Sequence, residues 1–305
     1  MSRTQEFEDL RPLLFSLAYR LLGSVAEAED AVQEAWLRYE LTPTRPRSAK
    51  AFLSAVVTRI SIDVLRSARV RREEYVGEWL PEPLLTDPYQ DPARSAELEE
   101  SVSMATLLLL ERLSPLERAV FVLREVFAYD FADVAAAVGR SEAACRQLLV
   151  RARRHMDSGS HRFEADRRSR DELAARFFDA FRSGDVEGLR DALAADVELV
   201  GDAGGKAPAL ARVVVGADSV ARLLASLFPR LDHVGATLDE CDVNGQPGAL
   251  LRQRDGKVAF VFALDVLGGR IKAIRSVGNP DKLRHVGPVA DAWELQRDFT
   301  STRRS

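Results

Sequence analysis

Cysteine is nearly missing. Cys145 and Cys241 are the only two in 305 residues, far apart and outside any CxxC or Cys/His cluster. That excludes a disulfide framework and removes the ligand spacing a zinc site needs. Histidine is as sparse: His155, His161, His233 and His285 are scattered singly, so neither metal nor cofactor is expected. No run of about 18 or more apolar residues is available to cross a bilayer, and no basic segment followed by an apolar one opens the chain. The expectation is a cytoplasmic protein without membrane contact. With 46% hydrophobic residues, the chain has material for two or three cores of ordinary domain size.

Acids are the next absence, in two places. The formal net charge is -4, yet residues 41–72 hold eight Lys or Arg against one acid, Asp63, and residues 140–155 hold five Arg against Glu142. Residues 73–111 reverse the balance with ten acids and one Arg. Two separated basic blocks in an acidic chain fit two grips on one polyanion, or two solvated helix faces.

Both blocks fall in helical patterns. Apolar residues at Phe7, Leu10, Leu14, Leu17 and Leu21 predict a first helix, which Gly23 stops. Ser24 with Glu27 starts a second, over 26–40, with Ala31, Val32, Ala35 and Trp36 inward and Asp30, Gln33 and Glu34 outward. A third, over 49–74, carries Arg59, Arg66, Arg69, Arg71 and Arg72 opposite its apolar stripe or at its end. Residues 76–94 contain four prolines and read as a linker, but Trp79, Leu80, Pro81, Glu82, Pro83 and Leu84 are too apolar for a free tether.

A helical run from Ala96 through Leu110 precedes Ser114-Pro115-Leu116-Glu117, a strong helix start that predicts a helix reaching Phe127. Residues 130–138, Gly139 and a helix opened by Ser141 then give helix, short turn, basic helix: a helix-turn-helix. Its second helix exposes Glu142, Arg146 and Gln147 at the leading end, suited to base edges. Arg151, Arg153 and Arg154 follow, suited to phosphates. Beyond a polar joint, helices over 173–182 and toward Leu193 precede strand-like runs at 197–200, 211–215, 250–254, 258–266 and 271–277. Helices first and strands after predict an α+β domain with an antiparallel sheet. The fold class is multidomain: two all-α domains followed by an α+β one.

These residues carry a resemblance. Asp30-Ala31-Val32-Gln33-Glu34-Ala35-Trp36 resembles the polymerase-clamp helix of bacterial sigma factors of the extracytoplasmic-function class. The segment from Leu113 to Phe121, with Val134-Ala135 and 139–153, resembles the second conserved region of that class. The resemblance implies a domain over 1–75 that binds the β′ clamp of core RNA polymerase through Asp30, Gln33, Glu34 and Trp36. It further implies that this domain opens the minus-ten element, with Arg59, Arg66, Arg69, Arg71 and Arg72 tracking the strand and residues 42–50 with Phe52 receiving a base. A domain over 95–157 would contact the β flap and read the minus-thirty-five element through Ser141, Glu142, Arg146, Gln147, Arg151, Arg153 and Arg154. Arg59 stands where many members of the class carry Asn.

The C-terminal half narrows the resemblance. The linker motif at 79–84, the turn Asp202-Ala203-Gly204-Gly205-Lys206 and Asn279-Pro280-Asp281-Lys282-Leu283 resemble three signatures of the subgroup with a fused SnoaL-like cone domain, here 166–290. Ala203 replaces the first of three glycines usual in that turn. The subgroup implies that the cone regulates its own sigma factor. In this reading Trp79, Leu80, Pro81 and Glu82 meet Asp202, Gly204, Gly205, Lys206, Asn279, Asp281 and Lys282, with Lys206 and Lys282 pairing with linker acids Glu82 or Asp87. The free protein is expected as a monomer, and the tail after Leu283, with Trp293 and Phe299 in its last part 291–305, as disordered rather than a second latch. Two alternatives stay open. One is a SnoaL-like enzyme fused to a DNA-binding part, with Asp202, His233, Asp265 and Arg275 as polar candidates for its cavity. The other is a ligand-sensing regulator that binds DNA alone. A small-molecule ligand in the cone fits any of the three.

Overall fold

The computed structural model describes residues 2–91, 93, 95–157, 167–208, 210 and 212–301, without the side chains of 68–73, 96–97, 157, 228–229 and 298–301. The chain divides into two compact units. One is Met1–Glu74 with Asp87–Ser160, the other Tyr75–Thr86 with His161–Ser305.

In the first unit, α1 (Arg3–Leu22) ends at Gly23, whose φ of 67° is left-handed, and α2 (Val25–Glu40) starts at Ser24, whose hydroxyl accepts from the Glu27 amide. With α3 (Ala49–Glu73) they bury Leu14, Leu17, Leu21, Val32, Leu53 and Val57. The helical run expected over 96–110 breaks at Ser103, which caps α5 (Met104–Leu110) after α4 (Ser95–Val102) by accepting from the Thr106 amide. Ser114 and Glu117 form the full capping box of α6 (Pro115–Phe121). The expected continuation to Phe127 is instead a π-helical turn, Val122–Val126. Then come α7 (Phe131–Val138), Gly139 at φ 66°, and α8 (Glu142–Asp157).

Buried polar groups link the two helical parts of this unit. Arg20, 1% exposed, donates to the Ser101 hydroxyl (2.7 Å) and the Leu98 carbonyl (2.9 Å) and pairs with Asp87. Arg118 reaches back to the Leu21 carbonyl at 2.7 Å, and Ser54 meets the Tyr129 hydroxyl at 2.6 Å. A buried guanidinium needs such partners, since removing one leaves an uncompensated charge.

The second unit runs α9 (Arg167–Ser183), α10 (Val186–Ala192), β1 (Leu193–Asp202), β2 (Val214–Val215), α11 (Ala217–His233), β3 (Thr237–Val243), β4 (Gln246–Arg252), β5 (Val258–Leu267), β6 (Arg270–Val277), a 3-10 turn (Pro280–Lys282) and α12 (Ala292–Ser301). Strand order is β2-β1-β6-β5-β4-β3. The sheet is mixed rather than antiparallel. β1 pairs with β6 in parallel, because β2, α11 and the antiparallel strands β3, β4 and β5 intervene and return the chain in the direction of β1. The helices cover one face, where Phe177, Phe181, Leu199, Leu224, Leu251 and Ile274 share a core. Part of the tail expected to be disordered, Ala292–Ser301, forms α12, and residues 302–305 lie outside the described residues. The Asp291 side chain accepts from the Trp293 and Glu294 amides, and Ala292 and Leu295 are buried. Among the described residues, no helix is long and apolar enough to cross a membrane.

Candidate functional site

The helix-turn-helix is built from its caps. Asp130 caps α7, Gly139 leaves it through left-handed backbone, and the Ser141 hydroxyl accepts from the Ala144 amide to start α8. Cys145, Leu149, Ala152 and Met156 face inward, which leaves Glu142, Arg146, Gln147, Arg151, Arg153 and Arg154 exposed on one flank. They are not equally available. Arg146 pairs with Glu142 at 2.7 Å and lies over the Phe131 ring, and Arg153 forks onto Glu125 at 2.9 Å. Arg151 and Arg154 make no hydrogen bond or ion pair among the described residues.

On α2, Asp30 and Gln33 are exposed, Glu34 pairs with Arg38, and Trp36 is half-buried against Phe7 at 4.9 Å. Sequence reasoning missed Leu37 and Leu41 beside them, 54% and 79% exposed. Their apolar exposure was the signal. On α3, Arg66 pairs with Asp63, while Arg59 donates to the Ala137 carbonyl at 3.0 Å and the Ala136 carbonyl at 2.5 Å, at the C-terminal end of α7. A guanidinium there satisfies two end-of-helix carbonyls and meets the negative pole of the helix. The side chains of Arg69, Arg71 and Arg72 lie outside the described residues. Arg3 holds the start of the 42–50 loop through the Thr42 carbonyl, Arg45 pairs with Glu6, and Phe52 packs on Tyr39.

In the second unit the linker motif is gripped by its backbone. Leu80, Pro81, Glu82, Pro83 and Leu84 are all buried, and Trp79 is half-buried. The Asp202 carboxylate, at the end of β1, accepts from the Leu80 amide (2.8 Å), the Tyr75 hydroxyl (2.5 Å) and Lys282 Nζ (2.6 Å). Lys282 also donates to the Leu80 carbonyl at 2.5 Å and sits over the Tyr75 and Trp79 rings at 4.8 and 4.4 Å. Burial, with the Asp202 carboxylate beside it, pushes the Tyr75 phenol far above its ordinary value. Four residues on, the Leu84 amide donates to Asn244 Oδ1 (3.0 Å), the Leu84 carbonyl accepts from the Asn244 amide (2.7 Å), and His285 meets the Pro83 carbonyl.

The signature turns make this geometry possible. Gly204 and Gly205 have φ of 55° and 70°, and the Lys206 amide closes onto the Ala203 carbonyl, so both central positions need left-handed backbone. Ala203 is outside that pair and its φ is not positive, so its methyl is tolerated. A Cβ on Gly204 would lie 2.3 Å from Asn279 Nδ2 and 2.8 Å from the Tyr75 hydroxyl. Each lysine has a carboxylate partner outside the linker. Lys206 pairs with Asp281, Lys282 with Asp202 and the Leu80 carbonyl, and Asp87 belongs to Arg20. A buried ammonium takes the buried carboxylate and carbonyl nearest to it, whereas Asp87 falls in the other unit. Tyr75, Asn244 and His285 were not foreseen. Asn244-Gly245 carried a hairpin-turn signal; Tyr75 and His285 carried none.

Of the four polar residues considered for an enzymatic cavity, Asp202 lines the one bounded by Phe181, Leu224 and Leu251, and its carboxylate is committed to the linker. Asp265 and Arg275 pair with each other at 2.7 Å, and His233 is exposed at the end of α11.

Comparison with known proteins accounts for this arrangement. Residues 7–71 match Sigma-70 region 2, 103–156 match Sigma-70 region 4, and 174–296 match the SnoaL-like domain. The chain is 41% identical over 287 residues to the ECF RNA polymerase sigma factor SigJ of Mycobacterium tuberculosis, covering 91% of this chain and 92% of that protein. It belongs to the ECF RNA polymerase sigma factors. A second sigma factor of that organism, the probable ECF RNA polymerase sigma factor SigI, is 32% identical, covering 90% of this chain and 92% of its own. The crystal structure of SigJ superposes with a TM-score of 0.71 and 37% identity over 92% of this sigma factor and 98% of SigJ. The helical part followed by a sheet-containing SnoaL-like domain is therefore shared along the whole length of that relative.

Proposed function

We propose that this sigma factor brings core RNA polymerase to promoter DNA through its helical unit, and that its SnoaL-like domain regulates it by fixing the linker between the two DNA-binding parts. In this reading α2 presents Asp30, Gln33 and Leu37 to the polymerase clamp, with Glu34 and Trp36 behind them. α8 reads the minus-thirty-five element and the basic face of α3 tracks the minus-ten strand. The protein acts in the cytoplasm, is a monomer when free, and performs no chemistry of its own. Arg59, held on the α7 carbonyls, reaches DNA only after α3 and α7 part.

The observation that carries the regulatory part is the Asp202 carboxylate shared by the Leu80 amide, Tyr75 and Lys282. The test is in vitro transcription from a pool of promoter fragments by bacterial core polymerase, with the full-length protein, Asp202→Ala or Lys282→Ala, alongside hydrogen exchange at the Leu80 amide. Protein-dependent transcripts sharing spaced upstream elements are expected, with output changed in both variants as Leu80 exchange accelerates. Absence of any protein-dependent transcript overturns the sigma reading. Unchanged output despite a freed Leu80 amide overturns the regulatory one.

A further inference from the structure

The SnoaL-like domain holds a partly open cavity of about 250 Å3 between the helix-covered face of the sheet, α11 and α12. Its walls are hydrocarbon: Phe181 from α9, Leu224 and Leu227 from α11, Leu251 and Phe262 from the sheet, and Leu295 from α12. Ordinary cores are packed with few voids larger than a water molecule, and a dry apolar cavity of about 150 Å3 already admits benzene. Here the space is larger and mostly apolar. Three polar residues line it. Asp202 turns its carboxylate to the linker, and Gln296 is exposed on α12. The third is Ser276, on β6 opposite Phe262. It is half-buried, and its hydroxyl makes no hydrogen bond among the described residues.

From this lining we infer that the cavity is a binding site for a small uncharged molecule, mostly hydrocarbon and about the size of two fused rings, with one hydroxyl or carbonyl that meets the Ser276 hydroxyl. A carboxylate, phosphate or ammonium is excluded by the chemistry of the walls. Among the described lining residues the one charged side chain, Asp202, has its carboxylate committed to Lys282 and the Leu80 amide, and an unpaired charge buried in the cavity would lose its hydration without return. The site also has a mechanical outlet. Gly201, Asp202 and Ala203 line one side, and the same three residues lead into the turn that holds Leu80. An occupant packed against Gly201 and Ala203 restrains that segment and tightens the hold on the linker. This consequence rests on the regulatory reading above; the binding site does not.

The test uses the full-length protein and three probes of one shape: 2-naphthol, naphthalene and 2-naphthoate, titrated by calorimetry. Saturable one-to-one binding of 2-naphthol is expected, with naphthalene about fivefold weaker for want of one hydrogen bond and no saturable binding of 2-naphthoate. Ser276→Ala should bring 2-naphthol down to the level of naphthalene. Leu210→Trp, in the loop at the cavity mouth, should abolish binding of both while leaving the circular dichroism spectrum unchanged. Failure of the wild type to bind 2-naphthol, equal binding of 2-naphthoate, or indifference to Leu210→Trp overturns the site. Full affinity in Ser276→Ala overturns the role given to that hydroxyl. In the same samples, 2-naphthol should slow hydrogen exchange at the Leu80 amide at least threefold. Saturable binding with unchanged Leu80 exchange overturns the coupling. A Leu80 amide that exchanges equally fast in wild type and Asp202→Ala, without any probe, overturns the linker reading instead.

Discussion

Asp202 and Asp265 are buried to a similar degree in the same domain, and their neighbours treat them differently. Asp202 has its carboxylate divided among an amide, a phenol and an ammonium, whereas Asp265 gives Oδ2 to Arg275 and leaves Oδ1 without a partner. Removing Asp202 strands the Lys282 ammonium, so Asp202→Ala should cost about 3–5 kcal/mol of stability in the C-terminal unit, read from its urea unfolding transition. Asp265 behaves in the opposite sense. Burial raises its carboxyl above the ordinary range, only partly offset by Arg275, so the folded state holds a proton that the unfolded chain releases near pH 4. Stability contributed by this group is therefore present below that pH and lost as pH rises through the folded-state value. Wild type should lose stability relative to Asp265→Asn as pH is raised from about 4; a difference that stays flat to pH 8 would contradict the assignment. From sequence, Asp202, Asn279 and Lys282 stood out because they sit in compact turn motifs. Tyr75 did not, because its role comes from a contact with a residue 127 positions away that no local pattern encodes.

Turns and caps govern the next scale. In the turn ending at Lys206 both glycines have positive φ, yet only Gly204 is also crowded; a Cβ on Gly205 would meet Val76 at an ordinary 3.5 Å. Gly205→Ala should cost the backbone term alone, about 1–2 kcal/mol. Gly204→Ala should cost more, because the methyl displaces Asn279 and Tyr75, and it should accelerate proteolysis within 75–86 where Gly205→Ala does not. Elements with strong punctuation were legible in the sequence: α1 by Gly23, α6 by Ser114 and Glu117, and the turn before α8 by Gly139. β3 was not, since Thr237–Val243 carries three acids and reads as polar. The position of β6 beside β1 was not either, because a parallel pairing between the first and last long strands leaves no trace in hydrophobic period. α12 was missed because its buried residues among those described, Ala292 and Leu295, are too few to set a period; the contact with the cavity supplies what the sequence pattern lacks.

For the molecule as a whole, a net charge of -4 sets binding to DNA against the chain's own field, so in the proposed reading the local basic blocks on α3 and α8 supply the attraction. Arg151 and Arg154 are not tied to acids, whereas Arg153 is held by Glu125. Replacing both Arg151 and Arg154 with Ala should weaken holoenzyme binding to every promoter alike and flatten the slope of log affinity against log salt by about two, measured by anisotropy. Arg146→Ala should instead change which minus-thirty-five sequences are used; an equal loss on all promoters would remove Arg146 from base reading. The linker adds a different kind of constraint. Its resolved hydrogen bonds to the SnoaL-like domain are made by main-chain atoms of Leu80, Pro83 and Leu84, with anchors four residues apart at Asp202 and Asn244. Such a grip measures chain length: one residue inserted or deleted between the anchors puts Leu80 and Leu84 out of step with their two holders.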